Sequence, residues 1–187
     1  MSRKRSAARS AGASVHELTD PRAMRALAHP VRIELLHVLA REPKTATQCA
    51  EETGESPQSC SYHLRTLGKY GFVERAEPTN GKERPWRKTK GVLNWDADVD
   101  PEAARALSAA FLQRDWNLLR AYLADPPPDW PDPLYSQSTL RVTRAEAEEL
   151  TKKFFDLFEP YFPPNRPDAP EGARNIWFAS FGVPADR

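Results

Sequence analysis

TATQCAEETGESPQSCSYHLRTLGKYG, residues 45–71, decides the fold. Thr45 followed three positions later by Gln48 has the form of a capping box, in which hydroxyl and amide satisfy each other's free backbone N–H groups, so a helix starts here. Gly54 stands where that helix needs a left-handed residue to end it. Ser56 and Pro57 then repeat a start signal, an N-cap hydroxyl followed by proline at the first helical position. The second helix runs to Tyr70, and Gly71 stops it. Two short helices separated only by Gly54 and Glu55 have the length and turn of a helix-turn-helix.

Working upstream, Asp20-Pro21 starts a short helix with Met24 and Leu27 one turn apart. His29-Pro30 ends it and opens VRIELLHVLA, whose Val31, Ile33, Leu35, Leu36, Val38 and Leu39 give an apolar stripe broad enough for the centre of a core. Pro43 closes that helix. Downstream, Phe72 and Val73 begin a strand, Asn80-Gly81 is a turn dipeptide, and Trp86, Thr89, Val92 and Leu93 fall on a return strand. Helices followed by a hairpin with a basic tip (Lys82, Arg84, Arg87, Lys88, Lys90) give the order of a winged helix.

On the helix beginning at Pro57, Cys60, Leu64 and Leu67 lie on one side, at i, i+4 and i+7. The opposite face carries Gln58, Tyr62, Arg65 and Lys69, with Ser59 and Thr66 at its edge. Such a helix fits a major groove about 12 Å wide. Gln58 has the chemistry to pair with adenine, Arg65 with guanine, and Ser59 with a base or phosphate; Tyr62 suits a sugar or a thymine methyl. Thr45 and Ser56, at the two helix starts, complete the set of candidate DNA contacts. His63 sits next to the apolar stripe, so a boundary position inside the domain competes with a DNA contact for it. Residues 57–90 hold 8 Lys+Arg against 3 Asp+Glu, and phosphate neutralisation supplies much of the affinity in such systems.

The whole chain of 187 residues has a formal charge of only +1, but unevenly placed. Residues 1–97 hold 17 Lys+Arg and 11 Asp+Glu, a net +6; residues 98–187 hold 10 and 15, a net −5. A basic half joined to an acidic half suggests a polyanion partner for the first and another task for the second. No apolar run is long enough for a membrane span and no apolar segment follows the basic N-terminus, so a cytoplasmic protein without a membrane partner is expected. Two cysteines, Cys49 and Cys60, cannot build a disulfide framework. With four scattered histidines they offer no converging ligand cluster, so no metal is expected. No glycine-rich phosphate loop, nucleophile elbow or carboxylate pair is present, so neither a cofactor nor an enzymatic activity is expected.

ALAHPVRIELLHVLA (26–40), TQCAEETGESPQSCSYHLRTLGKYGFVER (47–75) and NGKERPWRKT (80–89) together resemble the ArsR-type winged-helix transcriptional regulators. The most specific parts are His-Pro-x-Arg at the second helix, Ser-x-x-x-x-Ser-Tyr-His-Leu-x-x-Leu in the recognition helix, and Gly-Phe-Val at the start of the wing. The match covers residues 20–95. It implies a bacterial, usually homodimeric, repressor-like protein that binds double-stranded DNA at a pseudo-palindromic operator through two copies of the fourth helix. By position the family's DNA-reading face falls on Gln58, Ser59, Tyr62, His63 and Arg65, with the wing around Lys82, Arg84 and Arg87. Metal-sensing members often carry a Cys-x-Cys pair where this chain has Thr45 and Thr47.

The expected fold is mainly α with small β: a basic arm without fixed structure over 1–17, a winged helix-turn-helix over 18–97, and a C-terminal α+β extension over 98–187. The extension comprises a helix over 100–123, a strand over 135–142, a helix over 144–161 and a strand over 175–181, with proline-rich loops at 125–133 and 163–170. Its aromatic residues suit a second small core and a dimer interface, the helix over 100–123 packing on its two-fold mate, or a pocket for an apolar small-molecule effector. A winged helix that docks proteins instead of DNA is the remaining alternative.

Overall fold

In a computed structural model the described residues are 15–77, 84–89, 92–95, 97–134, 136–161, 168–179 and 182–183. The chain forms two compact units, one of them Ala13–Trp116, the other containing Asn117–Arg187.

In the first unit, strand β1 (Val15–Leu18) precedes helices α1 (Pro21–Leu27), α2 (Pro30–Arg41), α3 (Ala46–Thr53) and α4 (Pro57–Lys69). Strands β2 (Val73–Arg75), β3 (Trp86–Lys88) and β4 (Val92–Trp95) follow, and then α5, which runs Pro101–Ala124 and contains the boundary between the units. Helix starts and stops follow the local chemistry. The Asp20 carboxylate accepts from the N–H of Arg22. Both halves of the capping box at Thr45 are made, and the Asp100 side chain accepts from the N–H of Ala103 at the head of α5. Met24, Leu27, Ile33, Leu35, Leu64, Leu67, Phe72 and Leu107 are fully buried together with Cys49 and Cys60. Each large apolar side chain so buried contributes about 1.5–3 kcal/mol. Leu107 and Ala103 join this core from α5, and α5 is further tied by Arg25 to Asp100 and by Arg114 Nε to Glu34, 3.3 Å apart.

The wing is built differently from the single return strand expected after the turn. β3 pairs antiparallel with β2, matching Glu74 with Arg87 and Arg75 with Trp86. β4 leaves the wing and pairs parallel with β1, Val15 opposite Val92 and Leu18 opposite Trp95. Residues 15–17, expected in the arm, are therefore strand. Two strands alone are marginal in water; this pair is held because Leu18 is buried and Leu93 and Trp95 pack against the core. The Asn80-Gly81 turn, Lys82, Lys90 and the basic residues Arg3, Lys4, Arg5 and Arg9 lie outside the described residues.

In the second unit, helix α6 (Arg144–Phe158) starts at Thr143, whose N–H donates to Glu146 at 2.7 Å, and ends in a 3-10 turn, Glu159–Tyr161. Phe158 stacks near Phe154 and Phe178, with ring centroids 4.6 and 5.1 Å away, and Arg174 grips both carboxylate oxygens of Asp129. Over their described residues the two strands expected here do not form. Residues 136–142 and 173–179 are irregular. Among the described residues of this unit there is no strand for them to pair with, and Leu140 (62% exposed), Val142, Ile176 and Phe178 face water. The extension is thus helical and irregular, and no described side chain of α6 is buried.

One half-buried titratable group carries a stability consequence. His37 of α2 packs edge-on to Phe111, ring centroids 6.4 Å apart. Burial, aided by the charges of Arg114, Lys88 and Arg41, pushes its pKa down to about 3. Unfolded, the ring protonates near pH 6.5; folded, it stays neutral far below that. Stability is therefore full above pH 6.5 and is lost as pH falls from there towards 3, by up to about 1.4 kcal/mol per pH unit. Urea unfolding at pH 7.5 and pH 5 should show this loss, and His37→Asn should show a shallower one.

Candidate nucleic-acid interface

The α3–turn–α4 pair positions the candidate contacts from Thr45 to Lys69, and the wing carries the others. Gly54, at φ +72°, turns the chain between the helices, a conformation that costs a residue with a side chain. Ser56 caps α4 by accepting from the N–H of Ser59 at 3.1 Å. Cys60, His63, Leu64 and Leu67 form the buried face of α4. The outward face carries Gln58, Tyr62, Arg65 and Lys69, all exposed, Tyr62 at 63%. An exposed tyrosine of that size is apolar area held in water until a partner covers it.

The other candidates divide. Ser59 is half-buried and its hydroxyl donates to Glu55 at 2.9 Å, so it braces the turn. Thr45 is half-buried with its hydroxyl committed to the cap of α3. Arg65 reaches back one turn to donate to the Ser61 hydroxyl at 2.9 Å, which aims its guanidinium along the helix. Lys69 lies 5.6 Å from the Tyr70 ring. On the wing, Arg84 is exposed, whereas Arg87 is ion-paired with Glu74 across the strands at 2.8 Å, so its charge is partly spent within the protein. Lys82 lies outside the described residues.

His63 does not face outward. It is buried, its ring centroid 4.6 Å from that of His29, and it meets Tyr62 edge-on at 5.2 Å. Burial lowers the pKa of both histidines, and the neighbouring Arg32 lowers each further. His63 thus supports α4 from behind. Its place beside the apolar stripe was the signal for this, and the wheel put it one step from the core.

Sequence reasoning missed the contribution of Arg75. Its guanidinium lies 3.9 Å from the centroid of the Trp86 ring and one of its nitrogens donates to the carbonyl of Arg84. The register that matches Arg75 with Trp86 produces this stack, and residue spacing alone does not reveal it. Trp86 is in turn fixed from two sides. Its backbone pairs with Lys44, N–H to carbonyl at 2.8 and 2.9 Å, and its ring lies on Gly68 of α4. Cys49 and Cys60 are free thiols in the core; burial pushes Cys49 up to about 11, so the reactive thiolate is suppressed.

Two helices joined by a tight turn, the second presenting a polar face, followed by an antiparallel strand pair packed against them, define a winged helix-turn-helix. Residues 27–76 match a family model described as a helix-turn-helix domain. The helix-turn-helix expected from the sequence is matched over these residues. The chain is also similar, 40% identical over 58 residues, to a Streptomyces lividans protein named "Probable mercury resistance operon repressor"; the match covers 31% of this chain and 46% of that one. The chain thus matches about half the length of this curated relative. Two solved structures are similar as well. One is the homodimeric winged helix-turn-helix DNA-binding domain of a Mycobacterium bovis protein, at 23% identity and a TM-score of 0.34, covering 50% of this chain and 76% of that one. The other is an ArsR-like transcriptional regulator from Rhodococcus sp. RHA1, at 24% identity and a TM-score of 0.34, covering 56% and 92%.

The seat of the wing on α4 is testable at Gly68. A Cβ there would stand 3.0 Å from the Trp86 ring. Gly68→Leu should lower stability by about 1–3 kcal/mol, because the ring is held by its own backbone pairing and cannot step aside. The urea midpoint measures this; an unchanged midpoint would mean that the wing is not seated on α4.

Proposed function

We propose that the protein is a sequence-specific DNA-binding regulator of transcription that acts in the cytoplasm as a homodimer on a pseudo-palindromic operator. The observation that carries this reading is the division of α4: Cys60, Leu64 and Leu67 anchor it in the core, while Gln58, Tyr62 and Arg65 are exposed on its outer side. These side chains match the base edges of a major groove, Gln58 suiting adenine and Arg65 guanine. Exposed Arg84 on the wing suits a flanking phosphate. Support for the dimer comes from α5, where Leu112 and Trp116 (53% exposed), one turn apart, leave apolar area for a second copy. Two recognition helices so paired would enter major grooves about 34 Å apart.

The roles separate by experiment. Arg65→Ala should relax the choice of base at one position and cost about 1–3 kcal/mol on the preferred duplex. Arg84→Ala should weaken binding to preferred and random duplexes alike and reduce the slope of log affinity against log salt by about 1. Fluorescence anisotropy with both duplexes over a salt series distinguishes them. Equal losses for both variants on both duplexes would refute the assignment of roles, and a wild-type slope near zero would refute DNA binding itself.

A further inference from the structure

Beside α4, the start of α3 and the wing border an open cavity of about 180 Å³. Arg75, Arg84 and Trp86 line it from the wing, Thr45 and Thr47 from α3, and Ser61 from α4. Among the described residues no carboxylate lines it. Resting on the reading of the protein as a DNA-binding regulator, we propose that this cavity seats one phosphodiester of the DNA backbone, with Arg75 as its cationic anchor and the hydroxyls of Thr47 and Ser61 as further donors.

Three features favour that occupant. Arg75 is held before any ligand arrives, its guanidinium over Trp86 at 3.9 Å and one nitrogen bonded to the Arg84 carbonyl. Little side-chain freedom is then left to lose on binding, and the remaining N–H groups present a fork suited to phosphate oxygens. Ser61 already accepts from Arg65, so its own O–H is left to donate. Finally, Gln58, Ser61, Tyr62 and Arg65 stand at i, i+3, i+4 and i+7 of α4, one continuous stripe. A duplex lying along the base-reading side chains therefore brings its strand over Ser61 and the mouth of the cavity. A phosphate fixed there sets the register in which Gln58 and Arg65 meet the bases.

The test is a walk of neutral methylphosphonate linkages, one at a time, through a duplex that the full-length protein has selected from a random pool. Wild type should lose about 10-fold or more in affinity at one linkage per half-site, the scale of a lost charge-assisted hydrogen bond. In Arg75→Met the penalty at that linkage should fall below about twofold, while the penalties elsewhere stay. Thr47→Val, which leaves the stack on Trp86 alone, should shrink the same penalty in part, and it decides the matter if Arg75→Met does not fold. An unchanged pattern of penalties in these variants overturns the phosphate seat while DNA binding stands. Inorganic phosphate added at constant ionic strength separates the sources. Loss of the Arg75-dependent penalty at low millimolar phosphate would make the cavity a small-anion site and overturn the proposal as well. Wild-type binding with no salt dependence would instead remove the DNA-binding reading, and this inference with it.

Discussion

Trp86 is the residue on which the arrangement depends. Its backbone pairs with Lys44, immediately before α3. Its ring lies on Gly68, near the end of α4. Its cross-strand partner is Arg75 of the wing. One side chain and one peptide unit therefore fix the start of the first helix of the motif, the end of the second and the wing relative to one another. The buried ring has no room to move, since packed interiors tolerate few voids. The placing of Arg75 is a consequence of that lock.

Much of this was legible in the residues. The caps at Thr45 and Ser56, the stops at Gly54 and Gly71 and the spacing of Cys60, Leu64 and Leu67 are local signals, and the helices they announce form where expected. The winged helix-turn-helix follows from those signals. What stayed hidden depends on long-range pairing. Nothing in Val92–Trp95 announces that it leaves the wing to run parallel with Val15–Leu18. Nor does spacing disclose that Arg75 lies on Trp86, or that Glu74 engages Arg87. His63 shows the limit of a helical wheel: a residue beside the apolar stripe turns inward when a second ring, His29, is there to meet it. The reverse error occurs at residues 136–142 and 173–179, where strand-like composition finds no strand to pair with among the described residues of its unit.

The charge asymmetry gains a structural meaning from the same contacts. The excess of basic residues in the first half is not spread evenly over its surface. Some are spent internally, as with Lys44 held by Glu42 and Glu52, or Arg25 against Asp100. Arg65 on α4 and Arg75 on the wing are instead held by ties that run to a hydroxyl, a carbonyl and an aromatic ring. Guanidinium groups that no carboxylate among the described residues neutralises are what a polyanion requires.

The central claim is that the outer side of α4 meets duplex DNA. Photo-crosslinking tests it most directly, with benzoylphenylalanine incorporated at position 62, where the native tyrosine is largely exposed, and separately at position 157 in α6, which is 70% exposed. Under conditions in which each protein shifts a labelled duplex, irradiation should join the DNA to the protein labelled at 62 and leave that labelled at 157 free. A cross-link from 157 alone, or none from 62 while the duplex is bound, would contradict the account.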